Sequence, residues 1–343
     1  MRLNRRYFCA ASAALIGSSC TAGNTSPAAS ESFAVKLDVF DDGFHELMGR
    51  EAKADILANG FQWSEGPCWD LKRNIIYFTD VPQNKAYSWS AKEGLQTFLN
   101  PSGEANVDGF REPGANGLFF DHQSRLLLCN HGRRSIEVVQ TDSKTRETLT
   151  QRFEGKKFNS PNDIVAARDG HIFFTDPPYG LEGLDDSSLK ELLFNGVYHL
   201  APDGKVKLID TELTFPNGIA ISRDGRTLYV SQSDPKRPIL MRYNLDASYK
   251  VLSKTILFDF ASYMNPDAHG LPDGMTLDKA GNIFTTGPGG IYVIAPEGRA
   301  LGRISLDRAS SNCSFGEDGN TLFITNQDRL LRIETQTLGL RWT

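Results

Sequence analysis

Phe215-Pro216-Asn217-Gly218-Ile219 opens a stretch that closes on the apolar run Thr227-Leu228-Tyr229-Val230, with Gly225 between them. An apolar segment, a turn residue and a second apolar segment spell strand, turn, strand. The phrase recurs as Glu65-Gly66-Pro67-Cys68, Asn116-Gly117-Leu118, Asn162-Asp163-Ile164, Asp273-Gly274-Met275 and Ser311-Asn312-Cys313. Eight residues after each opening residue comes a turn: Gly170, Gly225, Gly281 and Gly319 in four copies, Arg73 (beside Asn74) and Ser124 in the others. A second apolar run follows each, such as Ile75-Ile76-Tyr77-Phe78 or Leu322-Phe323-Ile324. The six starts lie 51, 46, 55, 56 and 38 residues apart. Repeats of that length, each reading strand–turn–strand, predict the blades of an all-β six-bladed β-propeller. Equivalent positions of the blades would then surround one axis, bringing together residues distant in sequence.

The 343 residues are 40% hydrophobic and 23% charged, the balance of a soluble globular chain, and 31 Gly with 16 Pro suit many turns. Residues 1–20 differ. Arg2, Arg5 and Arg6 precede an Ala-rich apolar stretch from Tyr7 to Ile16, too short to span a bilayer, which reads as an export signal. Asn4-Arg5-Arg6-Tyr7-Phe8 resembles a twin-arginine signal and points to the periplasm. Cys20 is a candidate lipid-anchor residue, although Gly17-Ser18-Ser19 is a poor lipobox. Without the three signal arginines, 34 basic residues face 42 acidic ones, a net charge of −8 with no basic run, which argues against nucleic acid as a partner. Cys68, Cys129 and Cys313 show no Cys-x-x-Cys spacing and read as small buried side chains.

Residues 21–34, rich in Ser, Ala, Thr and Gly, read as a flexible tether, and residues 35–343 as the propeller. A strand within 35–60 is expected to complete the last blade. One segment breaks the pattern: Leu181 to Asn195 has an Asp/Ser start followed by helix formers, which predicts a short helix inserted in a loop.

The residue opening each phrase precedes an apolar strand, and three copies follow Pro161, Pro216 and Pro272. On the innermost strands of a propeller, Glu65, Asn116, Asn162, Asn217, Asp273 and Ser311 would converge on the channel mouth. Each Asn-Gly or Asp-Gly alone is an ordinary turn signal, but Glu65 is no turn former. Two converging carboxylates with no Lys or Arg in the register call for a cation between them. Oxygen-only donors favour Ca²⁺, then Mg²⁺ or Mn²⁺; the lack of His and Cys in the set places Zn²⁺ last. A cation with open positions polarises a carbonyl or phosphoryl oxygen, and Asp273 beside it can take a proton from water.

On these residues the chain resembles the gluconolactonase/regucalcin-like propeller family. The carriers are Ser64-Glu65-Gly66-Pro67, Ser160-Pro161-Asn162-Asp163, Phe215-Pro216-Asn217-Gly218 and Leu271-Pro272-Asp273-Gly274-Met275. Pro113-Gly114-Ala115-Asn116-Gly117-Leu118, Cys129-Asn130-His131-Gly132-Arg133-Arg134 and Thr175-Asp176-Pro177-Pro178-Tyr179-Gly180-Leu181 resemble its bacterial lactonase branch. The resemblance implies that Glu65, Asn162, Asn217 and Asp273 bind one divalent metal and that Asp273 is also the acid/base. It departs from regucalcin at Ser160, where that branch carries an Arg that helps hold the sugar.

The expectation is an exported, metal-dependent lactonase acting on a small sugar lactone, with Asn116, His131, Tyr179 and His269 as candidate substrate-binding residues. The competing expectations are a related hydrolase of organophosphates or aryl esters, favoured by an apolar mouth, and a non-enzymatic calcium-binding propeller, favoured by an occluded axis.

Overall fold

The computed structural model describes residues 31–105 and 107–342. The expected export signal, Cys20 and most of the expected tether lie outside the described residues.

Nearly all regular structure is β. Four sheets are four-stranded antiparallel meanders in which spatial order follows sequence order. They begin with Ser64–Asp70, Ala115–Phe120, Ile164–Ala166 and Pro216–Ile221. A nine-stranded sheet holds two further meanders, beginning with Met275–Leu277 and Asn312–Gly316. The strand expected within residues 35–60 is Ala52–Asn59, which pairs with Arg329–Glu334 at the outer side of the last meander. An additional strand, Ser32–Val39, begins inside the segment read as tether. It pairs with Ala52–Asn59 on one side and Ala300–Ser305 on the other, joining the two meanders.

The turn positions read from the sequence fold as expected. Gly170 and Gly225 adopt φ of +89° and +69°, the left-handed region open to glycine, and Asn74 and Ser124 take the same place in other copies at +55° and +60°. Short turns let each second strand fold back on the first. Alternate side chains then face the neighbouring sheets.

The apolar core is divided among the gaps between successive sheets. Cys68, Tyr77, Leu118 and Phe120 fill the first gap; Phe173, Ile219, Leu228 and Val230 fill the third. Trp69, Phe78 and Phe323 join the last sheet to the first, with Trp69 stacked on Phe323 at 5.2 Å. Each fully buried aromatic contributes about 1.5–3 kcal/mol. The three thiols are buried and unpaired in the same cores.

The first strands touch in a closed cycle, from Ser64–Asp70 through each in turn to Asn312–Gly316 and back. Hydrogen bonds mark each step. Thr79 Oγ1 donates to the Asn116 carbonyl (3.1 Å), Gly117 N to Asn162 O (2.7 Å) and Thr175 Oγ1 to Asn217 O (2.6 Å). Ser231 Oγ donates to Asp273 O (2.6 Å), Gly274 N to Ser311 O (2.7 Å) and Ser311 Oγ to Ser64 O (2.6 Å).

The inserted helix is a correction. Only Leu184–Asp186 forms a 3₁₀ turn, and Ser188–Leu193 is not helical. A helix of that length is marginal without tertiary support. Here Leu192 anchors in a core, whereas Leu193 is 92% exposed. The one described α-helix, Gly43–Met48, packs Phe44 and Met48 under the strand Ala300–Ser305. Among the described residues no helix is long and apolar enough to cross a membrane.

Candidate active site

Glu65, Asn116, Asn162, Asn217 and Asp273, the opening residues of five phrases, line one cavity of about 670 Å³ together with Tyr179. Backbone packing explains how they meet. Gly117 and Gly218 do not turn the chain there; they let neighbouring strands approach. A Cβ on Gly117 would stand 2.6 Å from Asn162 O, and one on Gly218 would stand 2.2 Å from Asp273 O. Both distances are closer than real Cβ atoms come. Glycine after Asn116 and Asn217 is therefore a condition for the close approach of these strands.

Glu65 accepts the Trp63 indole N–H at 3.2 Å and the Gly66 N–H at 3.1 Å. Burial pushes its carboxyl up to about 8, with the Asp163 carboxylate adding to the shift and the two donors opposing it. Asp273 is raised well above the ordinary carboxylate range, by burial first and then by Glu65 and Asp163. Asn162 donates Nδ2 to Asn217 Oδ1 at 3.1 Å, and Asn217 Nδ2 donates to Ser233 Oγ at 2.8 Å. Tyr179 stacks on Phe215 at 5.6 Å and 13°, and burial holds its hydroxyl firmly protonated.

The other candidates stand elsewhere. His131 is fully buried behind the wall: Nδ1 meets the Glu112 carbonyl at 3.1 Å and Nε2 meets Asn116 Nδ2 at 3.5 Å. Burial lowers its pKa to about 4, so it is neutral at pH 7 and can act only by positioning Asn116. His269 is exposed and is not among the residues lining the cavity. Ser311 spends its hydroxyl on Ser64 and Thr325, leaving Ser310 and Ala309 to form that part of the wall.

Two sets of residues escaped sequence reasoning. Asp163 is buried beside the axis, its oxygens accepting the Ile164 and Ile219 N–H groups at 2.9 and 3.2 Å. It makes a third carboxylate near Glu65 and Asp273, and burial pushes it up to about 7. The second set ends the second strands. Asp80 accepts the Gln62 N–H at 3.0 Å and the Trp63 N–H at 3.3 Å; Asp176 accepts Asn159 N–H at 2.7 Å. Gln232 accepts Thr214 N–H at 2.8 Å, and Asn326 donates to Arg308 O at 2.8 Å. Each clamps the loop three residues before the opening residue of its phrase. The signal was present as an Asp, Asn or Gln 14 or 15 residues after each of those openings.

Two carboxylates, Glu65 and Asp273, and two side-chain amides, Asn162 and Asn217, thus line one space into which no Lys intrudes. The raised proton affinities express the same frustration: buried like charges await either protons or a cation. Among the described residues no group of three or more His, Cys, Asp or Glu is arranged to hold a metal. Two of the four donors here are amides, and hard oxygen ligands of this kind suit Ca²⁺ or Mg²⁺ rather than Zn²⁺.

Residues 63–328 match the model of the SMP-30/gluconolactonase/LRE-like region. The chain belongs to this SMP-30/gluconolactonase/LRE-like family. Among its relatives is a gluconolactonase from Zymomonas mobilis, 41% identical over 310 residues, covering 89% of this chain and 87% of that one. A solved gluconolactonase from Xanthomonas campestris superposes with a TM-score of 0.76 at 28% identity, covering 92% of this chain and 99% of the other. A calcium-binding regucalcin from Agrobacterium tumefaciens shares the fold at a TM-score of 0.63 and 17% identity, over 82% and 94% of the two chains. The SMP-30/gluconolactonase match spans all six phrases.

Proposed function

We propose that the cavity hydrolyses the ring ester of a sugar lactone such as glucono-1,5-lactone. The observation that carries this reading is the convergence of Glu65, Asn162, Asn217 and Asp273 on one cavity in a chain 41% identical to a gluconolactonase. Those four residues would hold one divalent cation, Ca²⁺ in first place. The cation would supply Lewis-acid polarisation of the lactone carbonyl. Asp273 takes the proton of the attacking water, and the C–O bond of the ring breaks as the water oxygen bonds to the carbonyl carbon. The proton then passes to the departing ring oxygen, which becomes the hydroxyl of the hydroxy acid. Asn116, steadied by His131, and Tyr179, stacked on Phe215, orient the ring.

The same reading takes the sheets as six blades, supported by the six phrases and the cycle of hydrogen bonds. Residues 1–20 serve as an export signal to the periplasm, with Cys20 as the candidate lipid-anchor point. That part rests on the sequence alone.

The test is to strip metal from the purified protein with chelator and restore Ca²⁺, Mg²⁺, Mn²⁺ or Zn²⁺ separately. Acid release is then followed from a panel of lactones, an aryl ester and a fluorophosphate. Restored lactone hydrolysis, lost in Asp273→Asn, is expected. Full turnover by that variant would remove Asp273 from its role. Preference for the aryl ester or fluorophosphate would favour the second reading, to which the apolar wall of Pro235, Met264 and Leu271 lends support.

A further inference from the structure

Two loops form one wall of the cavity and are zipped together. Phe110 bridges Leu181 in antiparallel fashion, Arg111 N and Glu112 N both donate to Gly180 O (2.9 and 3.3 Å), and Glu182 N donates to Gly109 O (2.9 Å). Ser160 anchors the far side: its Oγ donates to Pro177 O at 2.6 Å and accepts Gly180 N–H at 2.9 Å. The hydroxyl two residues before Asn162 is therefore committed to holding the loop and is not available to a ligand.

This zipped wall presents one ion pair to the cavity. Arg111 Nη2 donates to Glu112 Oε1 at 2.6 Å, and the two side chains are 50% and 18% exposed. Among the described residues Arg111 is the only cation lining the cavity. Its charge is felt by Tyr179 and His131, and that of Glu112 by Glu65 and Asp273, so the pair lies within electrostatic reach of the donor set. The pair has little structural work to do. It joins adjacent residues, so it closes no loop and ties no two elements, and partly exposed pairs contribute little to stability. Chemically it sets a fixed multi-donor fork beside a carboxylate acceptor. A hydroxyl group, which both donates and accepts, is complementary to that arrangement; a bare methylene is not.

We propose that Arg111 and Glu112 are specificity-determining residues that read substrate hydroxyls and restrict the site to polyhydroxylated lactones. The inference rests on the lactonase reading and narrows its substrate class. Arg111 donates to one ring hydroxyl oxygen while Glu112 accepts from that hydroxyl or its neighbour. Neither side chain enters the bond-breaking step.

The test compares the calcium-loaded protein with Arg111→Leu, Arg111→Lys and Glu112→Gln on glucono-1,5-lactone and on δ-valerolactone, a six-membered lactone without hydroxyls. A lost hydrogen bond to a charged group is worth about tenfold to hundredfold in binding. For Arg111→Leu, KM for the sugar lactone should rise about tenfold or more with kcat changed far less. The ratio of the two kcat/KM values should fall in step, with Arg111→Lys and Glu112→Gln intermediate. An equal loss on both lactones, or no loss on either, overturns the inference. If the unaltered protein hydrolyses neither lactone, the lactonase reading fails separately. Arg111 is then judged by calorimetric binding of D-gluconate, where a loss of about tenfold or more in Arg111→Leu supports the inference and unchanged affinity overturns it.

Discussion

Ser311 donates its hydroxyl to the carbonyl of Ser64 at 2.6 Å, across 247 positions of chain. The same hydroxyl meets Thr325 Oγ1 at 2.7 Å, so the last sheet is fastened to the first by a group that takes no part in the cavity. Ser311→Ala should cost about 1–3 kcal/mol, because a buried carbonyl loses its partner. Urea denaturation measures this; an unchanged midpoint would show that another donor serves Ser64.

Gly218→Ala should be worse. Its Cβ would press on Asp273 O at 2.2 Å, and backbone on both sides must move. Overpacking of this kind costs about 1–3 kcal/mol or more. It should also displace Asp273, so that lactone turnover at saturating substrate falls with stability. A variant with normal kcat would place the tolerance of the ring higher than these contacts allow.

His131 sets a pH dependence. Its folded pKa of about 4 lies below the ordinary value of 6.5 because burial disfavours the cation. The unfolded chain therefore binds the extra proton first. Stability contributed by the neutral imidazole is full above about 6.5 and declines as pH falls towards about 4. The total is at most about 3 kcal/mol. His131→Gln, able to meet both Asn116 and the Glu112 carbonyl, should flatten urea midpoints between pH 7.5 and 4.5. An equally steep decline in the variant would assign it to other groups.

Asp80 holds the N–H groups of Gln62 and Trp63 and accepts Gln83 Nε2 at 2.8 Å. Asp80→Ala should loosen Trp63, whose indole supports Glu65, and raise KM several-fold with a change in tryptophan emission. Unchanged KM and emission would mean that packing alone fixes the loop.

The sequence showed the repeat, its turns and the oxygen donors because these sit at fixed offsets: Asn217 and Gly225 announce themselves together. Asp163 stayed hidden because it occupies a position that is glycine in four of the other copies and so read as turn chemistry. Gly117 and Gly218, in Asn-Gly pairs, carry an ordinary turn signal, and close approach between sheets leaves no local signature of its own. The second-strand clamps, Asp80, Asp176, Gln232 and Asn326, end apolar runs, and nothing local marks the distant loop each one holds. The helix expected after Asp185 rested on local propensity, which anchoring of Leu192 overrides. His131 and His269 look alike in sequence, and only burial separates a buttress from a surface residue.

The clamps carry a consequence for descent with change. They grip the mouth segments from the scaffold side, so a connecting segment can lengthen, shorten or exchange residues while the oxygen donors keep their stations. On the proposed reading, reactivity would reside in residues spread thinly around the cycle of first strands, and choice of guest in stretches such as 109–112 and 179–182, which the clamps do not hold.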